Sequence, residues 1–463
     1  MSLEQEQQPL REQFEAVIKT EDKLRLRDFL DHQNISDVTD LIYEYPDHES
    51  SIIANMSVHR AASTFKILEF PTQKRIIQTL PPNIIASLLN ELPPDDRTDF
   101  LEELPSNVVR ELIKLLNPEE RKITLSLLGY PENSIGRLMT PDYVYVYPEN
   151  TIEEVFATIR KHGKDSETIN VIYVINEKGE LLDDIRIRDF ILNPPDKKVS
   201  ELMDSRVVSL HPDDDQETAS EVFKMNNRDA LPVVSKSNKL LGIITIDDIL
   251  WVASEEFSED IQKIGGTQAF DEPYLEMPIL RLFKKRIIWL VVLFLGEMLT
   301  ATAMAFFEDE IAKAVVLALF VPLIISSGGN SGSQASTLII QAMAVGEITI
   351  SDWWRVMRRE IISGLLLGSV LGIIGFFRIL IWHYFAPHLY GEHWMSVGTT
   401  VGFALVGVVL WGTIAGSMLP IILKRLGADP AVSSAPFVAT LVDVTGLIIY
   451  FSVAFMILSG SLL

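Results

Sequence analysis

Pro436 to Met456, PFVATLVDVTGLIIYFSVAFM, constrains this chain more than any other stretch. Its 21 residues are enough to cross a bilayer as a helix. One side chain in it is charged, Asp443, near the middle. A carboxylate at that depth costs about 2.5–3.5 kcal/mol on insertion scales, so it must face a partner, water or an ion. Thr440 and Thr445 place hydroxyls close by, and Gly446 lets another backbone approach. The stretch fits either a buried Asp bonded to a neighbouring helix or an ion pathway.

Charge is divided along the chain. Residues 281–463 carry 11 Lys and Arg against 10 Asp and Glu, so residues 1–280 carry 29 against 53. The front is strongly acidic; the back is nearly neutral and apolar. An acidic front argues against nucleic acid, whose binders are basic, and concentrates cations. Cysteine is absent, which excludes disulfides and thiolate metal sites. The polar N-terminus, MSLEQEQQPLREQFEAV, does not read as a cleavable signal peptide.

Residues 1–132 read as a helical solenoid. Leu80-Pro-Pro-Asn83, Leu92-Pro-Pro-Asp95, Leu104-Pro-Ser-Asn107 and Leu116-Asn-Pro-Glu119 recur every 12 residues. Proline ends one helix and suits the first turn of the next, with Asn, Ser or Asp nearby to cap it. Asp95, Asp96 and Asp99 fall in one such turn, Asp95 and Asp99 on one face. Like charges at that spacing repel unless a cation relieves them; Asp in a first turn is also ordinary helix chemistry.

Two β/α units follow, 133–199 and 200–262, with Leu138-Met139 and Leu202-Met203 opening each, 64 residues apart. The first predicts a strand YVYVYP, a helix Thr151–His162, then VIYVIN and LLDDIRIRDFIL. The second predicts RVVSLHP, a helix Glu217–Met225, LPVVS and LLGIITIDDIL. This tandem resembles a pair of CBS domains over about 120 residues, most specifically in LPVV…KLLGIITIDDIL. Asp183-Asp184 stands in the first copy where Gly is common. CBS pairs often bind nucleotides, so the resemblance implies possible ATP binding, although no phosphate-cradling glycine loop is present. Glu255, Glu256, Glu259 and Asp260 then crowd six residues of predicted helix, just after Asp247 and Asp248. The run fits a solvated helix face or a cation site. Residues 263–286, with a helix over Glu272–Arg286, read as a bridge ending in Lys284-Lys285-Arg286 at the membrane.

Five apolar spans are predicted in 287–463: Ile287–Phe307, Ile311–Ser327, Ile361–His383, Thr399–Leu423 and Ala431–Leu458. The basic ends Lys284–Arg286, Arg355, Arg358, Arg359 and Lys424-Arg425 alternate with Glu308-Asp309-Glu310 and the loop His388–Trp394. That places the basic ends and residues 1–280 in the cytoplasm, and the C-terminus outside the inner membrane. The second span runs into SSGGNSGSQASTLIIQAMAVGE, Ser326–Glu347, where glycines and hydroxyls predict a broken helix. Freed carbonyls with Asn330, Ser331, Ser333, Gln334 and Thr337 would offer hard oxygen ligands; close helix packing through small residues is the alternative. Glu297, mid-span in the first helix, fits a pathway, a bond to Arg378, or a proton carrier. The fold class is a multidomain α and α/β membrane protein: helical solenoid, tandem CBS domains and a bundle of five transmembrane helices.

PLIISSGGNSGSQASTLIIQA, LKRLGADP and PFVATLVDVTGLIIY resemble the signatures of the MgtE family of magnesium channels, and so does the order of domains. The resemblance implies a homodimer in the bilayer, with a pore lined by the second and fifth spans. It puts the selectivity aspartate on Asp443; the candidate pore residues on those two spans are then Ala439, Thr440, Gly328, Gly329, Asn330, Ser333, Gln334 and Thr337. It also implies that Mg²⁺ binds between acidic cytoplasmic faces and shuts the pore. Those sensor positions fall on Asp95, Asp99, Glu217, Asp248, Glu256, Glu259 and Asp260; Asp247 and Glu255, in the same acidic runs, are further candidates. Trp251 and Asn227 stand where some relatives have acids, and Ala435 where relatives have Asn. The chemistry agrees: Mg²⁺ keeps several waters, so a pore needs few direct ligands. A two-fold axis would bring two Asp443 side chains together. The competing functions are an H⁺- or Na⁺-coupled carrier of divalent cations and a membrane-anchored Mg²⁺ or nucleotide sensor. No nucleophile–base pair points to an enzyme.

Overall fold

Four helices of the N-terminal region begin at Pro82, Pro94, Ser106 and Pro118, keeping the 12-residue beat. The computed structural model describes residues 3–20, 22–270, 274–275, 277–386 and 390–459. Leu80, Leu92, Leu104 and Leu116, just before each start, all enter one core with Leu88, Leu89, Phe100 and Leu112. Apolar burial at one fixed point per repeat is what stacks the helices. None of the four starts has a side-chain cap. The expected Asn, Ser or Asp caps are not made, because Pro81, Pro93 and Pro105 occupy three of the cap positions and Asn117, at the fourth, makes no such bond.

The chain divides into residues 1–256 and 257–463. In the first unit, β1 (Tyr143–Val146) pairs parallel with β2 (Thr168–Ile175), which pairs antiparallel with β3 (Leu181–Arg186). The second copy supplies β4 (Ala230–Val234) antiparallel to β5 (Leu240–Thr245). Its expected first strand, RVVSLHP, is reduced to one bridge from Leu210 to Val233. Its two helices run Gln216–Asn226 and Ile246–Ile264. The first copy's helix, Ile152–His162, starts at a capping box between Thr151 and Glu154. Tyr173, Ile175 and Leu181 of one copy share a core with Val234, Leu240 and Ile243 of the other.

The Asp183-Asp184 departure has a structural account. Asp183 is buried and accepts the backbone N–H groups of Asp184, Asp204 and Ser205 at 2.9, 2.7 and 3.1 Å. Asp184 pairs with Arg228 at 2.7 Å. Asn227 caps its helix in the left-handed region, φ 48°, where Asn is tolerated far better than most side chains.

Among the described residues, the second unit holds five helices long and apolar enough to cross a membrane. We call Ile279–Phe306, Val321–Ala344, Trp353–Phe385, Trp394–Arg425 and Ala435–Leu458 the first to fifth spans. Two expectations are corrected here. Among the described residues no separate bridging helix precedes the first span: residues 265–270 are not helical, and Ile279–Arg286 is the opening of the span itself. Glu272 and His388 lie outside the described residues. The second span does not break at Ser326; it is one helix from Val321 to Ala344. The irregular backbone comes before it, around Leu319-Phe320.

Candidate functional site

In hydrocarbon each backbone N–H and C=O needs a partner, so a glycine-rich stretch there is held helical. The glycines of the second span serve approach. A Cβ on Gly416 would fall 2.1 Å from the Gly332 carbonyl oxygen, and one on Gly412 2.5 Å from that of Gly328. A Cβ on Gly328 would meet Val408 and Val442 at 2.5 and 2.8 Å. The second and fourth spans therefore touch backbone to backbone, and the fifth packs its Val442 side chain onto Gly328. Ser333 donates to the Ala435 carbonyl at 2.9 Å, and Ser336 to that of Ser433 at 2.9 Å. Of the expected pore residues, Gly328 packs and Ser333 bonds. Gly329 is the one that faces Asp443: a Cβ there would lie 3.4 Å from Ala439 and 3.5 Å from Asp443 Oδ1. Thr440 returns its hydroxyl to the Pro436 carbonyl at 3.0 Å. Asn330 and Gln334 stay exposed and Thr337 half-exposed, forming a polar stripe on an otherwise apolar span.

The first span runs alongside the fifth in register. Trp289 stacks on Phe437 with centroids 6.4 Å apart and donates to Ser434 at 3.2 Å. A Cβ on Gly296 would meet Thr440 at 2.6 Å. One residue on, the Glu297 carboxyl lies beside that of Asp443. The partner of Glu297 is thus Asp443; Arg378 instead lies over the Phe320 ring, 5.8 Å from its centroid. Two acids in contact at membrane depth form a site for positive charge.

The loop after the fourth span is built by LKRLGADP. Gly427, φ 78°, ends that helix with Gly427 N–H bonded to the Lys424 carbonyl and Ala428 N–H to that of Leu423, a Schellman turn. The turn presents Asp429, which accepts from Ala431 N–H at 2.8 Å and pairs with Lys263 at 2.7 Å. Lys263 also pairs with Glu259. Asp429 and Lys263 escaped the sequence reading, since nothing in the pattern joins positions so far apart.

The second acidic centre lies in the first unit. Arg97, wholly buried, bonds Thr124 at 2.9 Å, the Leu89 and Leu92 carbonyls at 3.1 and 3.2 Å, and Glu120. Arg137 bonds Glu102. These two arginines fix helix Pro94–Glu102 and so the direction of Asp95, Asp96 and Asp99. Opposite them, Thr245 Oγ lies 2.5 Å from Asp247 and 2.7 Å from Asp248, its single proton serving one of the two. Burial, then Asp248, Asp96 and Glu167, hold the Asp95 carboxyl well above the usual carboxylate range. Burial, Asp247 and Asp96 push Asp248 up to about 7, against its bonds from Thr245. Asp99 is pushed to about 7 by surrounding protein, Glu102, Asp96 and Glu255; its side chain is exposed, so water screens part of that push.

Structure thus gathers Asp95, Asp96, Asp99, Asp247, Asp248 and Glu255, and adds Glu167, which the sequence pattern did not mark. Glu256 lies elsewhere on its helix, accepting from Gln216 at 3.1 Å beside Glu217. Glu259 faces Lys263, and Asp260 is the next residue on that helix. Trp251 is 65 % exposed. Among the described residues no three acids or histidines close into a direct metal cage. The centre is a face of spaced carboxylates, a form suited to an ion that retains its water.

Five apolar helices, an intramembrane acid pair and an acidic CBS-bearing region define a multi-pass membrane protein of the cation-transporting class. Residues 321–453 match the MgtE divalent cation transporter family, 33–133 its intracellular N domain, and 135–194 and 199–255 CBS domains. The magnesium transporter MgtE of Thermus thermophilus is 39 % identical over 344 residues, 74 % of each chain. That of Bacillus subtilis is 30 % identical over 442 residues, 93 % of this chain and 94 % of the relative. The cytosolic domain of the Mg²⁺ channel MgtE in complex with ATP matches 52 % of this chain and 98 % of its own, at 33 % identity and TM-score 0.50. The chain belongs to the MgtE family.

Proposed function

We propose that this protein is a Mg²⁺-selective channel for magnesium uptake, working as a homodimer in the cell membrane. The observation that carries the reading is Asp443 at mid-membrane, against Gly329, Ala439 and Glu297. Its neighbours Asn330 and Gln334 are exposed at membrane depth, which only a second protein surface or water could satisfy. A two-fold axis beside this stripe doubles the carboxylates around one hydrated ion. Residues 1–280 are cytoplasmic and the C-terminus external, from the alternation of basic and acidic loops.

Mg²⁺ at the acidic face of the first unit closes the channel. Carboxylates raised by their neighbours release that strain when a divalent ion lies between them, and the ion shifts the gate by its preference for the closed arrangement. The cytosolic domain of the Mg²⁺ channel MgtE is known in complex with ATP; on that similarity we extend nucleotide binding to the CBS pair of this chain. A proton-coupled carrier is the second reading, favoured by the Glu297–Asp443 contact.

The test is Asp443→Ala in a strain lacking other Mg²⁺ routes: uptake is abolished while the protein inserts normally. Wild-type uptake in this variant would sink the channel reading. Single-channel currents far above carrier turnover separate channel from carrier.

A further inference from the structure

One cation stands inside the acidic face. Lys66 follows helix Val58–Phe65, and its Nζ lies 3.0 Å from Asp96 Oδ2, both side chains about three-quarters buried, at 25 % and 21 % exposure. Asp95 and Glu167 also act on this ammonium. Burial alone would lower it; Asp96, Glu167 and Asp95 outweigh burial and hold it above its ordinary value. Arg97, the neighbouring cation, is turned away toward Glu120 and the Leu89 and Leu92 carbonyls. Beside Lys66, Asp95 is 5 % exposed and its Oδ1 has no hydrogen-bond partner. The face thus contains one acid already matched by a tethered ammonium and one buried acid with an oxygen left open.

We propose that Lys66 is a built-in counter-ion of the Mg²⁺-sensing face, neutralising the Asp96 side permanently so that divalent ions need only satisfy the Asp95–Asp248 side. An ammonium on the chain costs no translational entropy to recruit and cannot be diluted. A face that must otherwise be neutralised entirely from solution closes at a higher ion concentration. Lys66 therefore lowers the Mg²⁺ concentration at which residues 1–256 lock. This rests on the gating reading above.

The experiment uses the full-length protein in nanodiscs, with limited proteolysis of the soluble region across a Mg²⁺ titration. Lys66→Met raises the midpoint of protection about two- to fivefold, the range set by a partly exposed ion pair, and steepens the curve. Lys66→Arg keeps the wild-type midpoint. Lys66→Met with Asp96→Asn, which removes both charges of the pair, returns the midpoint toward wild type. Circular dichroism at saturating Mg²⁺ identifies any variant that has failed to fold, and the arginine and double variants then decide. An unchanged or lowered midpoint in folded Lys66→Met overturns the proposal, since the lysine would be inert or a competitor of Mg²⁺. A midpoint moved by Lys66→Arg as far as by Lys66→Met overturns it too, by showing that shape rather than charge matters. Protection that ignores Mg²⁺ in the wild type would instead remove the gating reading itself.

Discussion

The two acidic centres of this molecule handle charge in opposite ways. In the membrane, two carboxyls, Glu297 and Asp443, lie among helices joined backbone to backbone at Gly328, Gly332, Gly412 and Gly416. In the first unit, Asp95, Asp96, Asp99, Asp247, Asp248, Glu167 and Glu255 gather with one ammonium on a face where several remain accessible. Few charges held rigidly in a low dielectric discriminate between ions, because an ion and the water it keeps must fit the fixed positions they offer. Many charges near water accumulate ions and respond to their concentration. The first centre depends on packing, the second on electrostatics, and that difference can be broken at either end.

The largest effect belongs to the packing side. Gly416→Leu places a side chain where even a Cβ would lie 2.1 Å from the Gly332 carbonyl oxygen. The second and fourth spans must separate, and the variant fails to yield folded, detergent-stable protein, read by size exclusion after solubilisation. Nearly normal yield and uptake would show that the close crossing is dispensable. On the electrostatic side, Arg97→Met leaves Glu120 and two carbonyls without their buried donor. It lowers the stability of residues 1–256 by about 3 kcal/mol, seen as a lower denaturation midpoint, with the membrane spans unaffected. A change confined below roughly 1 kcal/mol would mean that helix Pro94–Glu102 is positioned by its apolar contacts alone.

Much of this was readable in the sequence, and the reasons for the failures are physical. The 12-residue proline beat, the five spans and the β-rich core of each CBS unit depend on local pattern, which a sequence carries directly. The second span was misread because glycine weakens helices in water, whereas in hydrocarbon an open backbone costs more than a glycine does. The missing strand at Arg206–Pro212 had the right composition; strand pairing depends on neighbours that pattern does not report. Glu297 was conspicuous as a lone mid-span acid, but its partner Asp443 is 146 positions away. Lys66 and Glu167 carried no signal, being single charges among many in an acidic region.

Glu297→Gln sharpens the comparison at the membrane centre. The substitution keeps the size of the side chain and its contact with Asp443 and removes one negative charge from the pair. Mg²⁺ uptake falls about three- to tenfold, corresponding to roughly 0.7–1.4 kcal/mol, less than the complete loss on Asp443→Ala. Unchanged uptake would make Glu297 a structural neighbour and leave Asp443 as the sole charge of consequence there.

The smallest effect is a pH dependence confined to the first unit. Asp99 and Asp248 are pushed up to about 7, and Asp142 and Asp184 to about 6, burial or surrounding protein being the first cause in each. An unfolded Asp releases its proton near pH 4. From about pH 4 to about pH 7 the folded unit therefore holds protons that the unfolded chain has given up. Stability must fall as pH rises through that window, and the contribution is complete only below it. Asp99, being exposed, supplies the least. In EDTA, the melting transition of residues 1–256 within the full-length protein comes several degrees lower at pH 7.5 than at pH 5. Added Mg²⁺ narrows that gap from the high-pH side, because ions replace the protons the carboxylates have lost. A transition that rises with pH in EDTA would mean that the face is already balanced from within the protein, with Lys66 outweighing the repulsion among the acids, and that no divalent ion is needed to hold it together.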